Sequence, residues 1–240
     1  MSTHTLDLEA IELNGGSHDS PDEGHCLLEV VSMFAGEPFT DSPKCVSQVL
    51  RSFGISLNDR WSNKQRQKLK QFIPLLPGTA DDGQDEARAY LALDWLIRVY
   101  TPTWLRLVPA LTADADLLAN QGPITSLDDL GPTNEVMRNA VVDNAWKTTG
   151  VVAWSIARTG LAAARDAAGE AAMLAAGEVA FIAARSAWIA ARNAVWHATK
   201  EVWATSRAAL TTTVETLQES ALDLFARMIN PAQNKAKVAK

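Results

Sequence analysis

Residues 174–210 read LAAGEVAFIAARSAWIAARNAVWHATKEVWATSRAAL. Bulky residues recur here at Leu174, Phe181 and Trp188 and then, after a hop of eight, at Trp196, Trp203 and Leu210. The same spacing reaches back to Trp154 and Leu161 and forward to Leu217 and Leu224. Three positions after many of these stands a small residue: Ala157, Ala164, Ala184, Ala191, Thr199, Ser206 and Thr213. A heptad-like repeat of one bulky and one small residue is the signature of a helix that packs closely against another helix. Alanine, the best helix former, fills 22 of the sixty residues 151–210. Four residues after the bulky position a cation often follows (Arg158, Arg165, Arg185, Arg192, Lys200, Arg207), which sets a charge beside the seam.

No proline occurs between Thr133 and Asn230. One unbroken helix over that stretch would extend roughly 145 Å at 1.5 Å per residue, too long a rod to bury its own seam. The chain is expected to fold back near Gly150, Gly169 or Gly177, as a hairpin or coiled-coil-like module, or to find a partner. The expected partner is a second copy or another helical protein, along a seam formed by Trp154, Leu161, Leu174, Phe181, Trp188, Trp196, Trp203 and Leu210.

Charge is distributed unevenly along the chain. Residues 1–132 hold 10 Lys and Arg against 19 Asp and Glu, a net of −9, and residues 133–240 hold 12 against 9, a net of +3. The basic residues of the second half are dispersed, so there is no clear nucleic-acid site. Residues 171–191 are apolar apart from Gly177, Glu178, Arg185 and Ser186. Alanine is nearly neutral for insertion and a central charge costs about 2.5–3.5 kcal/mol, which argues against a transmembrane helix. Trp and Arg together leave an interfacial membrane contact open. Residues 1–24 are polar and acidic without a basic-plus-apolar leader, so a cytoplasmic protein is expected.

The first half reads as a compact helical domain over residues 23–108. It follows a flexible tail (1–22), precedes a linker (109–132), the Ala/Trp-rich module (133–230) and a basic flexible tail (231–240). A helix is expected from Asp22 to Ala35, stopped by Gly36 and Pro38. Ser42 and Pro43 have the form of an N-cap and first-turn proline for a second helix ending near Gly54. Ser62 caps a third, with Leu69, Phe72 and Ile73 on one face and Lys64, Arg66, Lys68 and Lys70 on the other. A fourth begins on the acids Asp81 to Glu86 and is interrupted at Pro102. Leu117, Leu118 and Leu127 give the linker a means of docking.

Candidate chemistry is sparse. His25 and Glu29 are four apart, Cys26 adjoins them and Cys45 follows a turn, so His25, Cys26 and Cys45 are candidate ligands for zinc, which takes four N or S ligands in structural sites. There is no CxxC pair and no HExxH, and two buried cysteines acting as small hydrophobes are the plainer explanation. No catalytic residue stands out. GxGxxG, GxxxxGK[ST] and GxSxG are all absent, which argues against the nucleotide-binding and hydrolase classes they mark.

The stretches Glu23 to Glu29 (EGHCLLE), Ala35 to Asp41 (AGEPFTD), Pro43 to Val46 (PKCV), Leu57 to Asp59 (LND) and Arg88 to Arg98 (RAYLALDWLIR) follow a recognisable order. This order resembles an uncharacterised family of all-helical proteins met in actinobacteria and their phages, over about residues 23–107. Relatives often carry His where this chain has Ser42, and often carry Ala/Trp/Arg-rich extensions. The resemblance implies a two-part layout and a bacterial or phage setting, and no activity. The expectation is an all-α, non-enzymatic interaction or assembly protein. The alternatives are a metal protein or enzyme centred on His25, Cys26 and Cys45, and a membrane-active or phage-defence effector acting through the C-terminal helices.

Overall fold

The computed structural model describes residues 6–106, 112–130 and 206–231, with side chains from residue 211 onward in the last stretch. Within these residues every regular element is helical: α1 (Leu27–Ala35), α2 (Gln48–Arg60), α3 (Asn63–Arg66), α4 (Asp85–Trp95), α5 (Thr101–Leu105), α6 (Thr112–Ala119) and α7 (Ser206–Ile229). The described part is therefore all-α, as expected. No described helix is long and apolar enough to cross a membrane.

Local chemistry sets the boundaries. α1 starts later than Asp22 because Cys26 is its N-cap: the Cys26 sulfur accepts from the Glu29 amide, and the Glu29 side chain accepts from the Cys26 amide. This is a capping box with cysteine in the place usually held by serine or threonine. Gly36 closes the helix in the left-handed conformation. The cap of α2 is Ser47, whose hydroxyl accepts from Leu50; Ser42 and Pro43 lie in the preceding turn. Ser62 caps α3 as expected, and the helix tightens into a 3₁₀ run over Gln67–Leu75.

Two expected breaks are absent, each for a packing reason. α2 runs through Gly54 to Arg60. A Cβ at Gly54 would lie 3.1 Å from a Leu27 methyl and 3.3 Å from the Phe225 ring, so the glycine marks a close approach rather than a helix end. Pro102 does not interrupt the chain either. A π-helical turn over Leu96–Tyr100 joins α4 to α5, with the Thr101 amide and hydroxyl both on the Leu96 carbonyl. The wider turn absorbs the residue that cannot donate.

The ends of the expected domain also move. Residues 6–22 form no regular element but are not a free tail. Leu13 is fully buried, and its amide and carbonyl both bond the Gln67 side-chain amide, at 3.0 and 2.9 Å. In the expected linker α6 buries Ala115 and Leu118, while Leu117 and Leu127 stay exposed. The Ile124 amide donates to Asp94, which also pairs with Arg98 at 2.9 Å.

The largest departure is α7. It belongs to the same hydrophobic core as α1, α2 and α4, with Leu217, Ala221, Leu224, Phe225 and Met228 buried. The Phe225 ring lies 5.3 Å from Phe53 and 4.8 Å from Phe72, centroid to centroid. Residues 211–231 are therefore part of the N-terminal domain rather than of a separate module. The remainder of that expected module, residues 131–205, and the basic tail, 232–240, lie outside the described residues.

Truncating Phe225 to alanine leaves a cavity between α2, α7 and the 3₁₀ run. The expected cost is about 3–5 kcal/mol, read as a lower urea midpoint at unchanged slope. A cost below about 1 kcal/mol would mean that α7 is not part of the core.

Candidate functional site

The most specific constellation in the described residues is the groove that receives α7. Its walls are α2, α4 and the 3₁₀ run, and its floor carries Phe53, Gly54 and Phe72. α7 presents Leu217, Ala221, Leu224 and Met228 at helical spacing, with Phe225 beside them. That is how an amphipathic helix engages a groove. Four polar contacts set the register: the Trp95 indole donates to the Ser220 hydroxyl at 3.0 Å, Gln65 donates to Gln218 at 2.8 Å, Lys68 pairs with Glu219, and Arg88 holds the C-terminal end.

Arg88 is the hub of this end. Its side chain is fully buried. Nε donates to the Met228 carbonyl at 2.9 Å, the fork engages both oxygens of Asp82 at 2.8 and 2.6 Å, and Nη1 also reaches Asp85 at 2.8 Å and the Thr79 carbonyl at 3.3 Å. Burial opposes the charge, but Asp82 and Asp85 outweigh it and raise the Arg88 pKa. Arg88 in turn holds the Asp82 carboxyl below its ordinary value. The guanidinium also satisfies a C-terminal helix carbonyl, one of the groups a helix leaves unpaired.

A second polar knot fastens the N-terminal segment. Glu29 is fully buried and accepts from the Cys26 amide at 2.6 Å, the His18 amide at 2.6 Å and the His18 ring nitrogen Nδ1 at 2.8 Å. Burial pushes its carboxyl up, but these amides and the imidazole prevail and lower its pKa. Asn14 exchanges backbone and side-chain bonds with His25, and Asn58 links the Asn14 carbonyl to the Leu27 amide. Gly24 completes the knot with φ +143, where a Cβ would lie 2.7 Å from His18 Nε2.

The candidate zinc ligands are not assembled. Cys26 Sγ is spent on capping α1, and burial pushes its thiol up to about 12. Burial and the neighbouring Glu37 carboxylate push Cys45 up to about 11. His25 precedes the cap, so it shares no helix face with Glu29, and its ring stands edge-on to Phe39 at 6.2 Å. Among the described residues no three His, Cys, Asp or Glu side chains are gathered to hold a metal. Thiols held protonated are poor nucleophiles. The seam residues Trp154, Leu161, Leu174, Phe181, Trp188, Trp196 and Trp203, and the side chain of Leu210, lie outside the described residues.

Other features offer less. A shallow, open depression of about 480 Å³ is lined by Leu8, Glu9, Gln67, Lys68, Lys70, Gln71 and Pro74. Its cations are already engaged, Lys68 by Glu219 and Lys70 by the Glu9 carbonyl. Arg66, on the basic face opposite Leu69, Phe72 and Ile73, is buried and donates to the Asn58 and Trp61 carbonyls. Comparison of the chain with protein-family models, with curated proteins and with solved structures gave no match.

Two variants test these clusters. Arg88→Met strands Asp82 and Asp85 and frees the end of α7. It should cost roughly 3 kcal/mol and raise hydrogen exchange most at residues 224–229; uniform exchange would contradict the hub. For Glu29 the sign follows from the lowered pKa: its stabilisation is complete above the ordinary value of 4.5 and is lost as pH falls through the lower folded value. Glu29→Gln should be about 1.5–3 kcal/mol less stable than the parent at pH 7, with the gap closing as pH falls below 4.5. A gap independent of pH would refute the role given to the carboxylate.

Proposed function

We propose that this chain is a non-enzymatic helical interaction protein that associates through its C-terminal segment, in the bacterial or phage setting that the family resemblance implies. One observation carries the reading. The last two bulky positions of the repeat, Leu217 and Leu224, are buried against other helices, and the small residue that follows Leu217, Ser220, takes the Trp95 hydrogen bond. Where the pattern lies within the described residues, it works as a helix-packing seam. The same pattern continues through Trp154 to Trp203, with tryptophan in place of leucine at four of the positions. Tryptophan is the residue most enriched among those that dominate protein interfaces. Leu130 and α7, which flank residues 131–205 in the sequence, are both set in the core. The reading is a platform that carries an interaction segment between two anchors.

The test is size-exclusion chromatography with light scattering on the full chain, alongside Trp188→Glu and Trp196→Glu. The parent should self-associate or capture a helical partner, and each variant should weaken that association roughly 30-fold or more while urea unfolding of the domain is unchanged. A parent that stays monomeric at all concentrations and captures no partner would overturn the reading.

A further inference from the structure

We infer that Asn14–Gly15 is a self-modification site gated by the N-terminal segment: the closed knot around Glu29 holds it unreacted, and opening of the knot lets the Gly15 nitrogen attack the Asn14 side chain. The chain contains one Asn–Gly pair, at these two positions, and a second glycine follows it. Glycine sets no side chain beside its own nitrogen and leaves the backbone free to bring that nitrogen onto the preceding side-chain carbon. In the reaction the Gly15 nitrogen gives up its proton and bonds to Asn14 Cγ. The Cγ–Nδ2 bond breaks, ammonia leaves with that proton, and a five-membered imide closes. Water then opens the ring. Cleavage of the new bond leaves aspartate, and cleavage at the original backbone carbonyl leaves isoaspartate. Water is the co-reactant, and Gly15 is exposed to it.

The fold opposes ring closure. The Asn14 amide donates to the His25 carbonyl at 2.7 Å, Asn14 Oδ1 accepts from the His25 amide at 3.2 Å, and the Asn14 carbonyl accepts from the Asn58 side chain at 2.9 Å. On the far side the Gly16 amide donates to Asp59 at 2.9 Å, and a Cβ at Gly15 would lie 2.8 Å from Arg66 Nη2. The imide needs Cβ nearly eclipsed with the Gly15 nitrogen about the Asn14 Cα–C bond, a torsion outside the populated backbone basins. Reaching it turns the Asn14 side chain and carbonyl relative to each other, and the bonds that fix both cannot all survive. Reaction therefore proceeds from the open segment, at a rate that follows its population. The two products differ in what comes next. Aspartate at position 14 keeps an oxygen for the His25 amide. Isoaspartate routes the main chain through Cβ and Cγ, which lengthens it by one atom, so its amide and carbonyl no longer meet His25 and Asn58 together. The buried Leu13 and its two bonds to Gln67 stand one residue before and lose their alignment too. Isoaspartate turns a reversible opening into a one-way release.

The test uses the full chain, incubated at neutral pH both folded and in urea. Peptide mapping, with fragmentation that separates isoaspartate from aspartate, follows position 14. Hydrogen exchange of the Asn14 amide measures opening in the folded protein. Conversion of Asn14 should be slower in the folded chain than in urea, by the same factor as that amide is protected from exchange. Asp59→Ala, at an exposed position, removes the acceptor of the Gly16 amide and should raise both rates together by roughly three- to tenfold, the worth of one hydrogen bond. The purified isoaspartyl chain should lose exchange protection at the His18 and Cys26 amides, which bond Glu29, whereas Asn14→Asp should keep it. Conversion as fast in the folded chain as in urea, or two rates that move separately in Asp59→Ala, overturns the gating. Conversion in urea no faster at Asn14 than at Asn63 or Asn120 overturns the site. An isoaspartyl chain that keeps its protection at His18 and Cys26 overturns the one-way release.

Discussion

Burial of the Arg88 guanidinium constrains much of the rest of the structure. A buried cation is tolerated only when its donors are all directed at acceptors, and here the acceptors come from distant parts of the chain: Thr79 and Asp82 before α4, Asp85 in its first turn, and Met228 near the end of α7. Asp85 also receives the hydroxyl of Ser47, the cap of α2, so the same cluster orients a third helix. The apolar contacts around Phe225 supply most of the attraction, while the polar hub allows one register of α7 against α4. Slipping α7 by one residue would remove Met228 from Arg88, Ser220 from Trp95 and Phe225 from Gly54 together.

The scale of that attraction explains why α7 belongs to the domain. Leu217, Leu224, Phe225 and Met228 are buried, and each large apolar side chain contributes about 1.5–3 kcal/mol on burial. The sum is comparable with the whole net stability of a typical domain, about 5–15 kcal/mol. A domain ending at α6 would lack most of its margin. The N-terminal segment works similarly on a smaller scale: Leu13 fills the core, and the buried Glu29 carboxylate turns a polar stretch into a fixed strap.

Much of this was legible in the sequence. The helical class followed from apolar spacing, and Gly36 and Ser62 act as the residue types predict. The Asp94–Arg98 pair formed because a spacing of four on a helix leaves little choice. What was missed depends on contacts distant in sequence. Gly54 has the form of a helix stop until Phe225 is known to lie against it. Cys26 has the residue type of a zinc ligand, and its capping role shows in sequence only through the Glu29 three positions on, the sign of a capping box. Asn14 and His18 sit in a stretch without apolar period, and their partners Asn58 and Glu29 cannot be found from spacing alone. Arg88 gave a weak signal in its spacing from Asp82 and Asp85 and none toward Met228.

The bulky/small seam changes chemistry along its length. At its end the bulky positions are Leu217 and Leu224, side chains small enough to be covered in a core that also holds Phe53, Phe72 and Trp95. From Trp188 to Trp203 the bulky positions are tryptophan. An indole offers a large apolar face together with one donor, the combination enriched where proteins meet. Repeated tryptophan on an alanine-rich background leaves little neighbouring side-chain bulk to cover each ring, which fits a second surface. All four seam tryptophans, Trp154, Trp188, Trp196 and Trp203, precede α7, whereas Leu217 and Leu224 lie within it, and this separates the part of the repeat that folds the domain from the part proposed to associate.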